Sequence, residues 1–244
     1  MSEVEVLLRD SEKVAENAKN GDSHASNRGQ CAKDGVKIFF EREADRFHSY
    51  YLPPEDMKGR VIHYLFHRVL WERFHLTLRL LGDLKGKKIL DAGCGPGNYL
   101  IALLEQGAGE VAGVDFSCEM IECARGNLEQ AGFAARSVLY PADFMSMKLP
   151  HTYDHVVAIG FLEYMQDPLA VLQKIRDLAD SSFVISFPKM WTLRTLPRMA
   201  RYKLRNCYLR FFTHRELRGF MEVLNIDRYQ IHDLGRDYLV QAWK

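Results

Sequence analysis

Ten residues carry the most chemical information in this chain: Leu90 to Tyr99 read LDAGCGPGNY. A short apolar run closes on Asp91, and Gly93, Gly95 and Gly97 follow before a segment of helical pattern begins near Asn98. Glycines between a strand and a helix let the backbone turn tightly and approach a ligand closely, which suits a nucleotide-like cofactor. The spacing is G-x-G-x-G, with Asn98 where a dinucleotide fingerprint would place its last glycine, and this argues against nicotinamide and flavin cofactors. Two further acids stand at the ends of apolar runs. Asp115, 18 residues after Gly97, can accept hydrogen bonds from both hydroxyls of a ribose. Asp143, followed by Phe144, pairs an acceptor for an exocyclic amine with an aromatic ring able to pack on a base. Three carboxylates would repel a pyrophosphate but suit a cation.

These residues need elements to hold them. KILDA, EVAGVD, RSVLY, YDHVVAI and SFVISF are short apolar runs bounded by Gly, Pro, Asp or polar residues. Between them run amphipathic segments, such as Leu169, Leu172, Ile175 and Ala179 at helical spacing. Strands alternating with helices imply right-handed βαβ units and a parallel sheet covered on both faces. IDRYQIH and YLVQAWK flank the turn Asp-Leu-Gly-Arg-Asp and predict an antiparallel hairpin at one sheet edge. The expected fold is α/β: a doubly wound, mostly parallel seven-stranded sheet with a C-terminal antiparallel hairpin. Ahead of it, Phe40, Ala44, Phe47 and Tyr51, then Ile62, Phe66, Val69, Leu76 and Leu80, recur at three or four residues and predict an N-terminal helical cap, broken at Pro53-Pro54.

The sequence therefore divides into a flexible tail over 1–34, poor in large apolar side chains, and a single domain over 35–244. Within the domain, 35–82 form the cap, 83–187 and 213–244 the core, and 188–212 a basic insertion. An apolar fraction of 47% and a charged fraction of 27% are globular values. No apolar run is long enough to span a bilayer, and MSEVEVLLRDSEK lacks the basic start and apolar core of a secretory signal. Cys31, Cys94, Cys118, Cys123 and Cys207 are odd in number and form no C-x-x-C pair, which fits a reducing cytoplasm better than a disulfide framework.

In these motifs the chain resembles the class I S-adenosylmethionine-dependent methyltransferases. The resemblance rests on Asp91-x-Gly93-x-Gly95-x-Gly97, on Gly113-Val114-Asp115-Phe116-Ser117 followed by Met120-Ile121, and on Ala142-Asp143-Phe144. It extends to Tyr153-Asp154-His155-Val156-Val157 leading into Gly160-Phe161-Leu162-Glu163-Tyr164. It implies S-adenosyl-L-methionine as cofactor. Asp91 and the turn through Gly93, Cys94, Gly95 and Gly97 would hold the methionine end, Asp115 the ribose, and Asp143 with Phe144 the adenine. Phe116 and Met120 would add contacts, and the backbone near Gly160 would face the sulfonium. Asp154, inside a strand, is given a structural role, and Ser117 rather than Asp115 is expected to cap the following helix.

The cofactor alone leaves the acceptor open, because displacement at a sulfonium needs alignment and desolvation but no obligatory protein nucleophile. GFLEYM stands where enzymes that methylate planar amino nitrogens carry Asp/Asn-Pro-Pro-Tyr/Phe, and no Pro-Cys follows the fourth strand for cytosine C5 chemistry. Family variants with a helical cap and a GxLEY-like segment mostly methylate small molecules, and weaker similarity reaches the O-methyltransferases of quinone and tetrapyrrole pathways. The expectation is methyl transfer to a small molecule at oxygen. Glu163 and Tyr164 are the candidate catalytic residues, with capping or pairing of the next helix the structural alternative for Glu163. His48, Tyr50 and Tyr51 close the first cap helix, and Tyr50 and Tyr51 are candidates for substrate contact. His63 and His67, at i, i+4, lack a nearby acid, so no metal site is expected. Thr213 and Glu216 have the spacing of a capping box beside His214.

The last clue is charge. The whole chain is formally +1, yet 189–218 carries nine Lys/Arg against the single acid Glu216. Arg194, Arg198, Arg201 and Arg205 would form one helical stripe, and Arg198 and Arg201 are candidates for binding an anionic acceptor. A solvated helix face or contact with an acidic membrane surface are the other readings of the stripe. An RNA methyltransferase is disfavoured by overall neutrality and the lack of a separate RNA-binding module. A catalytically inactive cofactor-binding regulatory protein is disfavoured by the intact motifs. Composition says nothing of oligomeric state.

Overall fold

The computed structural model describes residues 57–190, Thr192 and 208–244, with side chains from Val69 onward. Its first element is helix α1 (Met57–Leu81). After it the chain alternates: β1 (Lys88–Ala92), α2 (Asn98–Glu105), β2 (Glu110–Asp115), α3 (Cys118–Gln130), β3 (Ser137–Pro141), β4 (Tyr153–Ala158), α4 (Pro168–Leu178) and β5 (Ala179–Pro188). Helix α5 (His214–Val223) leads into β6 (Tyr229–Asp233) and β7 (Asp237–Trp243).

The seven strands form one sheet in the order β3-β2-β1-β4-β5-β7-β6. Neighbours from β3 to β5 are parallel, and the β5–β7 and β6–β7 pairs are antiparallel. The chain winds outward from β1 through β2 to β3, then returns to place β4 on the other side of β1. Strand order therefore reverses between β1 and β4, the place where open α/β sheets leave a crevice at their C-terminal ends.

Period-two alternation sorts the core into two layers. Ile89, Val111, Val157, Val184 and Leu239 face a layer completed by Leu78 and Leu81 of α1, Leu100 and Leu103 of α2, and Ile121 and Leu128 of α3. Leu90, Val114, Val156, Phe183, Ile185 and Val240 face the other, completed by Val171, Leu172 and Ile175 of α4 and Leu217 and Met221 of α5. Both faces are apolar because both are covered, and that is why the strands read as near-continuous apolar runs.

The helix starts follow from local chemistry. The Ser117 hydroxyl accepts from the Met120 amide to cap α3, as expected, and Thr213 with Glu216 forms a complete capping box on α5. Asp167 caps α4 by accepting from the Ala170 amide, with Pro168 in the first turn, so Glu163 is not the cap of that helix. One boundary differs from the periodicity. Ala179, the last apolar position of the helical pattern, is extended and opens β5, paired with Tyr153, since a short side chain in line with the sheet serves strand pairing as readily as a helix face. Asp154 has the structural role expected of it: it accepts from Lys87 Nζ at 2.9 Å and from the Lys88 amide at 2.8 Å, tying β4 to the start of β1.

The tail over 1–34, the cap segment bearing His48, Tyr50 and Tyr51, and the stripe with Arg198 and Arg201 lie outside the described residues. His63 and His67 fall on α1, in its stretch without described side chains. The two ends of the basic insertion are held side by side: the Met190 amide donates to the Phe212 carbonyl, and the Phe212 amide to that of Pro188.

Candidate functional site

The switch point between β1 and β4 gathers most of the residues singled out from sequence. Asp91, next to last in β1, lies opposite Val157 of β4, and Gly160 follows two residues after β4. The turn between β1 and α2 places Gly93, Gly95 and Gly97 at φ of 82°, 52° and 83°, in the left-handed region that favours glycine. At Gly93 packing adds to the dihedral requirement: a Cβ there would lie 2.7 Å from Cδ2 of Phe161. Gly95 faces open space, with nothing within 4 Å of the position its Cβ would take, so the turn is sealed against the protein at Gly93 and open at Gly95. The Gly93 and Cys94 amides both donate to the Val114 carbonyl, locking the turn onto the end of β2.

Asp115 is tied into the same turn. One carboxylate oxygen accepts from the Gly95 amide at 2.9 Å and the other from the Ser117 amide at 3.0 Å. A carboxylate offers about four lone-pair positions, so these backbone donors leave acceptor capacity for a hydroxyl. Burial raises its pKa to about 6, against the lowering by the backbone donors of Ser117, Gly95 and Phe116. Asp91 is more extreme. It is 1% exposed, burial and then the charge of Asp115 push its pKa to about 8, and its Oδ2 has no hydrogen-bond partner among the described residues. A buried carboxyl oxygen without a donor is costly unless something arrives to pair it. Cys94 lies buried beside the two acids, and burial with their charges raises its thiol well above the ordinary value, which keeps it a neutral thiol.

Beyond β3 a compact turn carries Asp143 and Phe144. Asp143 is half-buried and accepts through Oδ1 from the Met145 amide at 2.9 Å. Phe144 is buried, edge-on to Phe161 at 5.7 Å between ring centroids, with the ammonium of Lys174 4.9 Å from its ring centre. Phe116 is partly exposed, and Met120 is buried in the first turn of α3.

On the β4 side, Gly160 adopts φ of 70° and its amide donates to the Ser186 hydroxyl at 2.7 Å. A short 3-10 turn, Leu162–Tyr164, follows, with Glu163 buried and Tyr164 half-buried. The Arg210 amide donates to the Glu163 carbonyl, so the chain returning from the basic insertion lies directly on this turn.

Several participants carried no local signal. Arg73 of α1 is buried, bonds Asp237 Oδ2 at 3.1 Å across 164 residues of sequence, and holds Nη2 3.7 Å from where a Cβ on Gly160 would stand. Breaking a buried pair of this kind costs about 3 to 5 kcal/mol. Gln241 donates to the Leu80 carbonyl, so two side chains of β7 hold α1 over the sheet. Ser186, Phe161 and Lys174 were also missed. Apolar patterning marks where strands are, and polar contacts between distant elements leave no trace in it.

A family model described as a methyltransferase domain matches residues 83–228. Over 121 residues the chain is 36% identical to an uncharacterized protein of Haemophilus influenzae, the match covering 48% of each. Over 112 residues it is 32% identical to a ubiquinone biosynthesis O-methyltransferase of Vibrio cholerae, covering 46% of this chain and 45% of that one. The chain thus spans about half the length of these relatives. The solved structure of magnesium protoporphyrin IX methyltransferase from Synechocystis PCC 6803 with bound SAH aligns with a TM-score of 0.68 at 20% identity, over 87% of this chain and 99% of that one, a likeness of fold.

Proposed function

Because the chain belongs to the class I S-adenosylmethionine-dependent methyltransferase family, we propose that it transfers the methyl group of S-adenosylmethionine to an oxygen of a small, anionic acceptor. The observation that carries the cofactor reading is Asp91: a buried carboxyl with an unsatisfied oxygen, at the switch point beside a glycine turn open at Gly95. Such a group is complementary to a cationic amino terminus, which would supply the missing donors and draw the carboxyl into its ionised form. When bound, the cofactor supplies an electrophilic methyl on a sulfonium with a neutral thioether as leaving group.

The chain's own residues then bind, orient and exclude water. Asp91 and the Gly93–Gly97 turn hold the methionine end, and Cys94 lines the turn as a neutral thiol. Asp115, pre-positioned by the Gly95 and Ser117 amides, keeps acceptor capacity for ribose hydroxyls. Asp143 takes the adenine amine, and Phe144 braces that turn from within the core. Gly160, held by Ser186, presents backbone to the reacting centre, where a side chain would crowd it. Glu163 accepts the acceptor's proton, with Tyr164 beside it; a hydroxyl needs such a base more than an amine does.

Oxygen as the methylated atom is supported by the 32% identity to a ubiquinone biosynthesis O-methyltransferase. Negative charge on the acceptor is supported by the basic insertion, whose returning end lies on the Glu163 turn. Among the described residues no helix is long and apolar enough to cross a membrane, and a cytoplasmic biosynthetic role is part of this proposal.

Calorimetric titration tests the cofactor: S-adenosylhomocysteine should bind and NAD should not, and the reverse would overturn it. Release of S-adenosylhomocysteine during turnover, with catechol and 3,4-dihydroxybenzoate compared as acceptors, tests the rest. Preference for the uncarboxylated catechol would overturn the anionic acceptor.

A further inference from the structure

Lys174 holds the turn that carries Asp143, and we propose that it is a positioning residue for the adenine end of the cofactor site, an inference resting on the cofactor reading above. After β3 the chain folds back on itself. The Asp143 carboxylate accepts from the Met145 amide and its carbonyl from the Ser146 and Met147 amides, at 3.1 Å each for the last two, so these three amides are spoken for within the turn. The carbonyls point elsewhere. Those of Phe144, Met145 and Met147 converge on one spot, and Lys174 Nζ occupies it, within hydrogen-bonding distance of all three. An ammonium has three donors and no acceptor, so one lysine can satisfy this ring of carbonyls where a neutral amide could not.

The ammonium is delivered by a rigid element. Helix α4 is capped by Asp167 and packed into the core through Val171, Leu172 and Ile175. Lys174 leaves that helix to lie over the Phe144 ring, and burial lowers its pKa while the neighbouring Asp143 charge raises it. The turn therefore takes its shape from a cation tethered outside it. Remove the cation and the part-buried carbonyls of Phe144 and Met147 must find water or other donors, which requires the backbone between Asp143 and Met147 to shift. Asp143 would move with it, away from the ligand edge it is set to meet.

A purely structural lysine predicts something different. Loss of global stability does not change the intrinsic affinity of the molecules that remain folded, whereas a displaced Asp143 does. Titration of the full chain with S-adenosylhomocysteine and with 5′-methylthioadenosine, which keeps the adenosine but lacks the amino and carboxyl groups, separates the cases. Lys174→Met should weaken both ligands by the same factor, about tenfold. Asp91→Asn should weaken S-adenosylhomocysteine and leave 5′-methylthioadenosine within about twofold. Lys174→Arg, which returns a cation to the carbonyl ring, should recover most of the loss, and Lys174→Gln carries the test should the methionine variant not fold, with the same equal weakening of both ligands expected. Unchanged affinity for both ligands in Lys174→Met or Lys174→Gln, or a loss confined to S-adenosylhomocysteine, overturns the proposal. Wild-type protein that binds neither ligand overturns instead the cofactor reading on which it rests.

Discussion

Replacing Asp91 by Asn should make the ligand-free protein more stable and the cofactor site worse. The buried carboxyl has a pKa of about 8 in the folded chain, against an ordinary value of 3.8. Between those values the folded state holds a proton that the unfolded state has lost, so stability falls as pH rises, by about 1.4 kcal/mol per pH unit. The fall begins above the ordinary carboxyl value and ends as pH passes through the folded value. From 3.8 to pH 7 the integrated penalty is at most about 4 kcal/mol. Asparagine has the shape of the protonated acid and ionises in neither state, so Asp91→Asn removes the penalty. At pH 7 the variant should gain about 2 to 4 kcal/mol, a rise in Tm of about 5 °C or more for a chain this size. At pH 4 the two proteins should melt together. Denaturant melts followed by circular dichroism from pH 4 to 9 give both curves. In the same variant, affinity for S-adenosylhomocysteine should drop about tenfold to a hundredfold, because a charge-assisted bond is lost. A variant less stable than wild type at pH 7, or a difference that does not change with pH, would refute the picture of Asp91 as an acid held neutral until a cation reaches it.

Gly93→Ala should cost more stability than Gly95→Ala, since both carry positive φ but only the first pushes its Cβ into Phe161; the αL penalty alone is about 1 to 2 kcal/mol, and equal losses in urea would remove the packing argument. Glu163→Gln should lower turnover by roughly a hundredfold with S-adenosylhomocysteine affinity retained, and unaffected turnover would return Glu163 to a packing role. The double variant Arg198→Ala/Arg201→Ala should raise the acceptor KM, more at low ionic strength than at high, without altering cofactor affinity; kinetics indifferent to both the change and the salt would detach the basic insertion from the acceptor.

What could be read from sequence was whatever is encoded locally. The glycine turn, its flanking acids, the hairpin turn, the Ser117 cap and the Thr213–Glu216 capping box each lie within a few consecutive residues, and each stands in the structure as the spacing implied. Alternation of strand and helix sufficed for the doubly wound sheet because right-handed crossovers leave few other arrangements. The Arg73 to Asp237 pair, the Ser186 hydroxyl under Gly160 and the Lys174 ammonium under the Phe144 turn join elements far apart in the chain. A lone Lys on a helix looks the same in sequence whether it meets solvent or three carbonyls. The Asp115 carboxylate shows a subtler limit: its spacing marked it for a ribose, yet part of its bonding capacity goes to the protein's own backbone amides, those of Gly95 and Ser117 among them.

The position of β7 has a consequence for how the molecule is made. It is the last strand in sequence, but it lies between β5 and β6. On a ribosome, β1 to β5 can pair as they emerge, whereas the outer edge of β5, an apolar strand with seven residues of ladder to fill, stays bare until residues 237–243 are outside the exit tunnel. Nascent chains therefore pass through an interval with an open, sticky edge, the kind of surface on which chains capture one another or a chaperone. Since Asp237 and Gln241 also hold α1, that helix can dock fully only once β7 is in place. Translation that pauses or stops shortly before residue 237 should thus yield aggregation rather than a slightly shortened folded domain.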